Sequence, residues 1–128
     1  MATGFPASTG DVLSAAMFNG LVTFTINAQS GSTYTVANTD LYQALVQTTN
    51  ASTKTVTIAP DSTLTEAATG STITFLNSGA GDLTFAAGSG VTITSAGASS
   101  SAPKLAQYKT AVAIRTGANA WTVVGAVV

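Results

Sequence analysis

Acid–base chemistry in this 128-residue chain would fall to five carboxylates, Asp11, Asp40, Asp61, Glu66 and Asp82, because there is no His and no Cys. The missing imidazole removes the commonest general base, the usual partner of a catalytic serine and the commonest metal ligand. The missing thiols remove disulfides and thiolate metal sites. Two carboxylates roughly 5–10 Å apart across a cleft could still hydrolyse a glycosidic bond. However, Asp61 follows Pro60 and Asp82 follows Gly81, where turn and cap duty is the ordinary role. The acidic residues are too widely spaced for a calcium loop. Serine and threonine are plentiful, but no base is at hand to activate one. The residues therefore predict no enzyme, with no catalytic, cofactor-binding or metal site.

The glycines of "NSGAGDLTFAAGSGVTIT" (Asn77–Thr94) pose a second chemical question, since Gly79 and Gly81 begin a G-x-G-x-x-G pattern. A dinucleotide fingerprint needs a third glycine where Thr84 stands, and a helix after it. "DLTF" reads instead as a strand, so no helix N-terminus is there to gather pyrophosphate. The expectation is that these glycines supply positive φ at hairpin corners. Trp121 could stack on a sugar, but its strand-like setting beside Val123 predicts a core aromatic. Tyr34, Tyr42 and Tyr108 could line a glycan groove or an interface. The sequon at Asn50–Ser52 carries little meaning without a secretion signal.

The elements that would position these residues follow from hydrophobic period. Over residues 1–20 the pattern is helical. Thr9 caps and Gly20 stops a short helix near Asp11–Asn19, with Leu13, Ala16, Met17 and Leu21 on one stripe, after an extended arm holding Phe5 and Pro6. That helix either packs on its own domain or docks on a partner subunit. From Leu21 onward the period is two. Phe24 and Ile26 share a face, as do Tyr34 and Val36, Val56 and Ile58, and Ile73 and Phe75. The pattern continues with Leu83 and Phe85, Val91 and Ile93, Val112 and Ile114, and Trp121 and Val123, usually with Thr between. Gly-, Ser- and Asn-rich turns separate the runs. This predicts an all-β domain over residues 21–128, an antiparallel β-sandwich or barrel-like fold. "GSTYTV" (Gly31–Val36) echoes "GSTITF" (Gly70–Phe75), but one echo does not establish a repeat architecture. "WTVVGAVV" (Trp121–Val128) reads as an adhesive strand edge in a lone monomer.

Composition limits the partners. Apolar residues make up 45% of the chain, enough for a core, while charged residues make up 7% against about 25% in an ordinary domain. Weak self-repulsion favours association. Four scattered cations and a net charge of −1 argue against phosphate-driven nucleic-acid binding. The N-terminus lacks a signal-peptide pattern, and Arg115 and Gly117 interrupt the apolar tail, so neither secretion nor membrane insertion is expected.

The order of short motifs resembles a β-rich module of tailed-bacteriophage virion proteins, of the capsid-decoration, head-fibre and tail-fibre type. The matching pieces are Tyr34-Thr35, Asp40, Leu45-Val46, Asn50, "TVTIAP" (Thr55–Pro60), "GSTITF", "GAG" (Gly79–Gly81), "GVTI" (Gly90–Ile93), "KLAQY" (Lys104–Tyr108) and "NAWTVVG" (Asn119–Gly125). The lead-in "TGDVLSAAMFN" (Thr9–Asn19) fits as well, and Ala126 stands where such modules often carry an acidic residue after the final glycine. The resemblance implies a non-enzymatic virion component made in the host cytoplasm, most often a homotrimer. Its partners would be its own copies and the major capsid protein or another virion protein, with Phe5, Met17, Phe18 and Leu21 of the arm at the docking interface. The alternative it leaves is a tail-fibre or adhesin-type module gripping host glycans. A polysaccharide depolymerase is the third and least favoured reading.

Overall fold

The computed structural model describes Ala15, residues 23–97 and residues 99–128. The expected arm and short helix, with Phe5, Met17 and Phe18, and also Leu21, fall outside the described residues apart from the single Ala15.

Ten strands follow: β1 (Thr25–Gln29), β2 (Thr33–Thr35), β3 (Ala44–Thr48), β4 (Lys54–Ile58), β5 (Thr72–Asn77), β6 (Leu83–Ala87), β7 (Thr92–Ser95), β8 (Lys104–Leu105), β9 (Lys109–Gly117) and β10 (Ala120–Gly125). A 3-10 turn, Asn38–Leu41, precedes β3. The strands form a six-stranded sheet, in the order β1-β3-β5-β9-β10-β7, and a four-stranded sheet, β2-β4-β6-β8. The β-rich class expected from the period of two is therefore observed.

The antiparallel expectation is corrected, because both sheets are mixed. Strands β1–β3, β3–β5, β2–β4, β4–β6 and β7–β10 pair in parallel, while β5–β9, β9–β10 and β6–β8 are antiparallel. From β1 to β9 each successive strand lies in the other sheet. The chain thus winds between the sheets, and over β1–β6 it returns to each one in its original direction. The strand in the opposite sheet serves as the crossover that a helix supplies in most parallel sheets. Alternating burial marks a strand with one covered face, but it carries no sign of the neighbour's direction. The echoed pieces are likewise not stacked: the first contains β2 of the smaller sheet and the second runs into β5 of the larger.

Inward residues of both sheets share one core. Val46, Ile73, Phe75, Ile93, Trp121 and Val123 meet Val56, Ile58, Leu83, Phe85 and Leu105. Phe75 and Phe85 touch edge to face across the sheets, with centroids 4.9 Å apart.

Two strands turn the other way from the sequence expectation. In β9 the buried residues are Ala111 and Ala113, and Val112 and Ile114 face outward, half-exposed. Ala111 lies beside Phe75 and Ala113 beside Ile73, so large neighbours leave space only for methyl groups. In β1, Asn27 points between the sheets, while Phe24 and Ile26 are 52% and 53% exposed.

The glycine expectation holds for positive φ at Gly90, at φ +76°, but is corrected at Gly79 and Gly81. Gly79 and Gly81 sit at a corner between sheets, not in a hairpin, and neither has positive φ. They are needed for close approach to the corner beneath. A Cβ on Gly79 would collide with the Asn50 carbonyl oxygen, and one on Gly81 with the Ser52 carbonyl group.

The C-terminal segment is not an open edge. β10 lies between β9 and β7, and Lys104 and Val128 exchange two backbone hydrogen bonds of 3.0 Å, which cover the edge at β8. Among the described residues, the open edges that meet at one end of the winding belong to β1 and β2.

Candidate functional site

Asp11 lies outside the described residues, and of the other four carboxylates Asp40 and Asp61 serve separate structural tasks. Asp40, 2% exposed, closes the 3-10 turn by accepting from the Ala37 N–H at 2.9 Å. The same carboxylate accepts from the Tyr34 hydroxyl at 2.6 Å and from Asn27 Nδ2 at 2.9 Å. Gln29 Nε2 in turn donates to Asn27 Oδ1 at 2.7 Å. Burial, and then the adjoining Asp40 carboxylate, push the Tyr34 phenol well above its ordinary range, so it stays a donor. This network ties β1, β2 and the 3-10 turn together across the gap between the sheets.

Asp61 accepts from Arg115 Nη2 at 2.7 Å and Nε at 3.2 Å, a two-point clasp between residues far apart in sequence. It also accepts from the Asn119 N–H at 3.0 Å. The Arg115 hydrogen bonds and the Asn119 N–H hold its carboxyl below the usual range. Glu66 lies exposed in a turn and Asp82 lies exposed just before β6. No group of three or more acidic residues comes together among the described residues.

Sequence reasoning missed Lys54 as anything but one of four scattered cations. It is 3% exposed, and its Nζ donates to the Asn50 carbonyl at 2.8 Å and the Gly81 carbonyl at 2.7 Å. Beside it, buried Asn77 donates to the Gly81 and Leu105 carbonyls and accepts from Thr48 Oγ1 and the Gly79 N–H. Burial lowers the Lys54 pKa, and the nearby Asp82 charge partly opposes the shift. The cluster satisfies carbonyls where corners stack, which would be costly to leave unpaired. A signal for it was present: Lys54 shares the inward parity of Val56 and Ile58.

Trp121 is 1% exposed, so it offers no face to a sugar, and its Nε1 has no hydrogen-bond partner among the described residues. Tyr108 is 75% exposed and Tyr42 half-buried. The expected site residues Phe5, Met17, Phe18 and Leu21 lie outside the described residues.

What the fold brings together is an open end. In the parallel register, the backbone groups of Ile26 and Ala28 on β1, and of Thr33 and Thr35 on β2, point away from the one strand that each edge pairs with among the described residues. Phe24 and Ile26 stand exposed on the same end. A recess of about 430 Å³ opens between the two edges, lined by Thr25, Asn27, Gln29, Tyr34, Thr39 and Asp40. Among the described residues its amide, phenol and carboxylate groups bond one another. No helix among the described residues is long and apolar enough to cross a membrane. Comparison with protein-family models, curated proteins and solved structures gave no match to this chain.

Proposed function

We propose that this chain is a structural component of a tailed-bacteriophage particle. In this reading it is a capsid-decoration or head-fibre protein that assembles as a homotrimer in the host cytoplasm. It docks on the shell through the arm bearing Phe5, Met17, Phe18 and Leu21. It performs no catalysis, and it binds neither nucleic acid nor membrane. The observation that carries this reading is the pair of edges, β1 and β2, that meet at one end and are open among the described residues, while at the other end β7 stays an edge and β8 is covered. The C-terminal residues cover the edge at β8, whereas among the described residues β1 and β2 leave outward backbone groups and exposed Phe24 and Ile26 where the arm joins the domain. A soluble monomer normally blunts such edges with charge or proline, and no charged residue occurs between Asp11 and Asp40. In this reading the two sheets, packed over one core as in a sandwich, carry the arm at their β1 end. Docking would draw on apolar burial at about 25 cal/mol per Å² gross, before the cost of association.

The test is deletion of Met1–Gly20. The shortened chain is expected to keep its β circular-dichroism signature and to lose attachment to purified shells. Attachment at wild-type occupancy would remove the arm from the docking role.

The recess beside Tyr34 favours a second reading, a fibre-tip or adhesin module that binds host glycans through amides and hydroxyls. A glycan array with the isolated protein separates the two, because a decoration protein gives no reproducible hit.

A further inference from the structure

The six-stranded sheet has an outer face with an unusual make-up. Parity and register place Ile26, Leu45, Thr74, Val112 and Val124 in one row across β1, β3, β5, β9 and β10. Leu76 and Ile114 flank that row on the same face. Ile26 and Val124, its two ends, are 53% and 43% exposed. Every other outward position on these six strands is Ala, Gln or Thr. The only charged residues on these strands, Lys109 and Arg115, have the opposite parity, and Arg115 is drawn to Asp61.

The inside-out strands account for this face. β9 buries Ala111 and Ala113 while showing Val112 and Ile114, and β1 turns Asn27 inward while showing Ile26. A one-residue change of register would have buried the larger side chains. The fold therefore places apolar residues outside that its own core does not use. The four-stranded sheet differs. Its outer face carries Thr33, Thr55, Thr84 and Lys104 in one row, and Thr35, Thr57 and Ala86 in the next. That face is hydroxyl-coated, and its last row position is charged.

We infer that copies of this chain pack on one another through the outer face of the six-stranded sheet. This rests on the reading of the chain as a self-assembling virion component, and it names the surface that makes the assembly. A face with no charge requires a partner with no charge to desolvate. This chain's own face meets that requirement, and in a trimer three such faces would meet about one axis through contacts that are not two-fold. Among the described residues the edge of β1 is open and continues the same face, so strand pairing between copies can add to the side-chain contact. The threonine face is left to solvent.

The test uses the full chain at micromolar concentration, with sedimentation velocity and native mass spectrometry on the wild type, Ile26→Lys, Val124→Lys and Thr55→Lys. The first two positions are exposed, so a lysine there leaves the fold of a single copy intact, and circular dichroism checks this. Ile26→Lys and Val124→Lys are each expected to weaken assembly at least tenfold, and Thr55→Lys to leave it unchanged. A trimer that withstands both lysines, or that only Thr55→Lys dissociates, overturns the assigned face while leaving the homotrimer reading standing. A wild-type dimer that both lysines dissociate supports the face and overturns the trimer. A wild-type monomer overturns both, and if Ile26→Lys then lowers its Tm, the chain's own N-terminal residues cover the face.

Discussion

Asp61 shows how a side chain with catalytic potential can be committed to architecture instead. Its two oxygens take the Arg115 fork and the Asn119 N–H, which pins the loop after β4 to the β9–β10 turn. Because the folded pKa lies below the unfolded value of about 3.9, the contribution is present above that value and is lost as pH falls through the folded pKa. Asp61→Asn is therefore expected to lower stability to urea at pH 7 and pH 5 by the same margin. The gap to wild type should close progressively below about pH 4. A gap that persists unchanged to pH 2 would mean that Asp61 acts through shape and not charge. Asp40 and Lys54 are committed in the same way, one to Tyr34, Asn27 and a 3-10 turn, the other to stacked corner carbonyls. The sequence pointed the carboxylates toward turn duty rather than catalysis, but it did not show their partners. The bonds of Asp61 and Lys54 join residues brought together only by the winding.

At the scale of the elements, the corners decide the fold. Gly79→Ala must displace the Asn50 carbonyl, which occupies the space of the added carbon. Gly90→Ala meets nothing within 4 Å and bears only the strain of φ +76°. Urea denaturation is expected to show a loss of about 3 kcal/mol or more for Gly79→Ala, at or beyond the top of the ordinary range for a single substitution. The loss for Gly90→Ala should be about 1–2 kcal/mol, the ordinary left-handed penalty. Equal losses would refute the close-stacked corner. The period of two located the strands from Val56 to Phe85 and their buried faces correctly, because there the large residues point inward. It misjudged β1 and β9, where size was a false guide: Ala111 is buried because Phe75 fills the space beside it. The sequence also could not disclose direction, since a strand that crosses to the opposite sheet and one that folds back as a hairpin share the same alternation. The glycines were recognised as corners, but their reason lay in a neighbouring corner distant in sequence.

For the whole molecule, the distribution of charge matters more than its amount. Among the described residues, Lys54 is buried at a corner, Arg115 and Asp61 are clasped between loops and Lys104 stands beside the threonine face, while the outer face of the larger sheet carries no charge. Association is then favoured by apolar contact and opposed by little repulsion. On this reading the fold is completed by other copies of itself. Solution mass distinguishes such an assembly from a lone chain. The full chain, 12.6 kDa per copy, is predicted to sediment as a single species of three copies that persists on dilution through the micromolar range. A species that remains at one copy throughout would contradict the account.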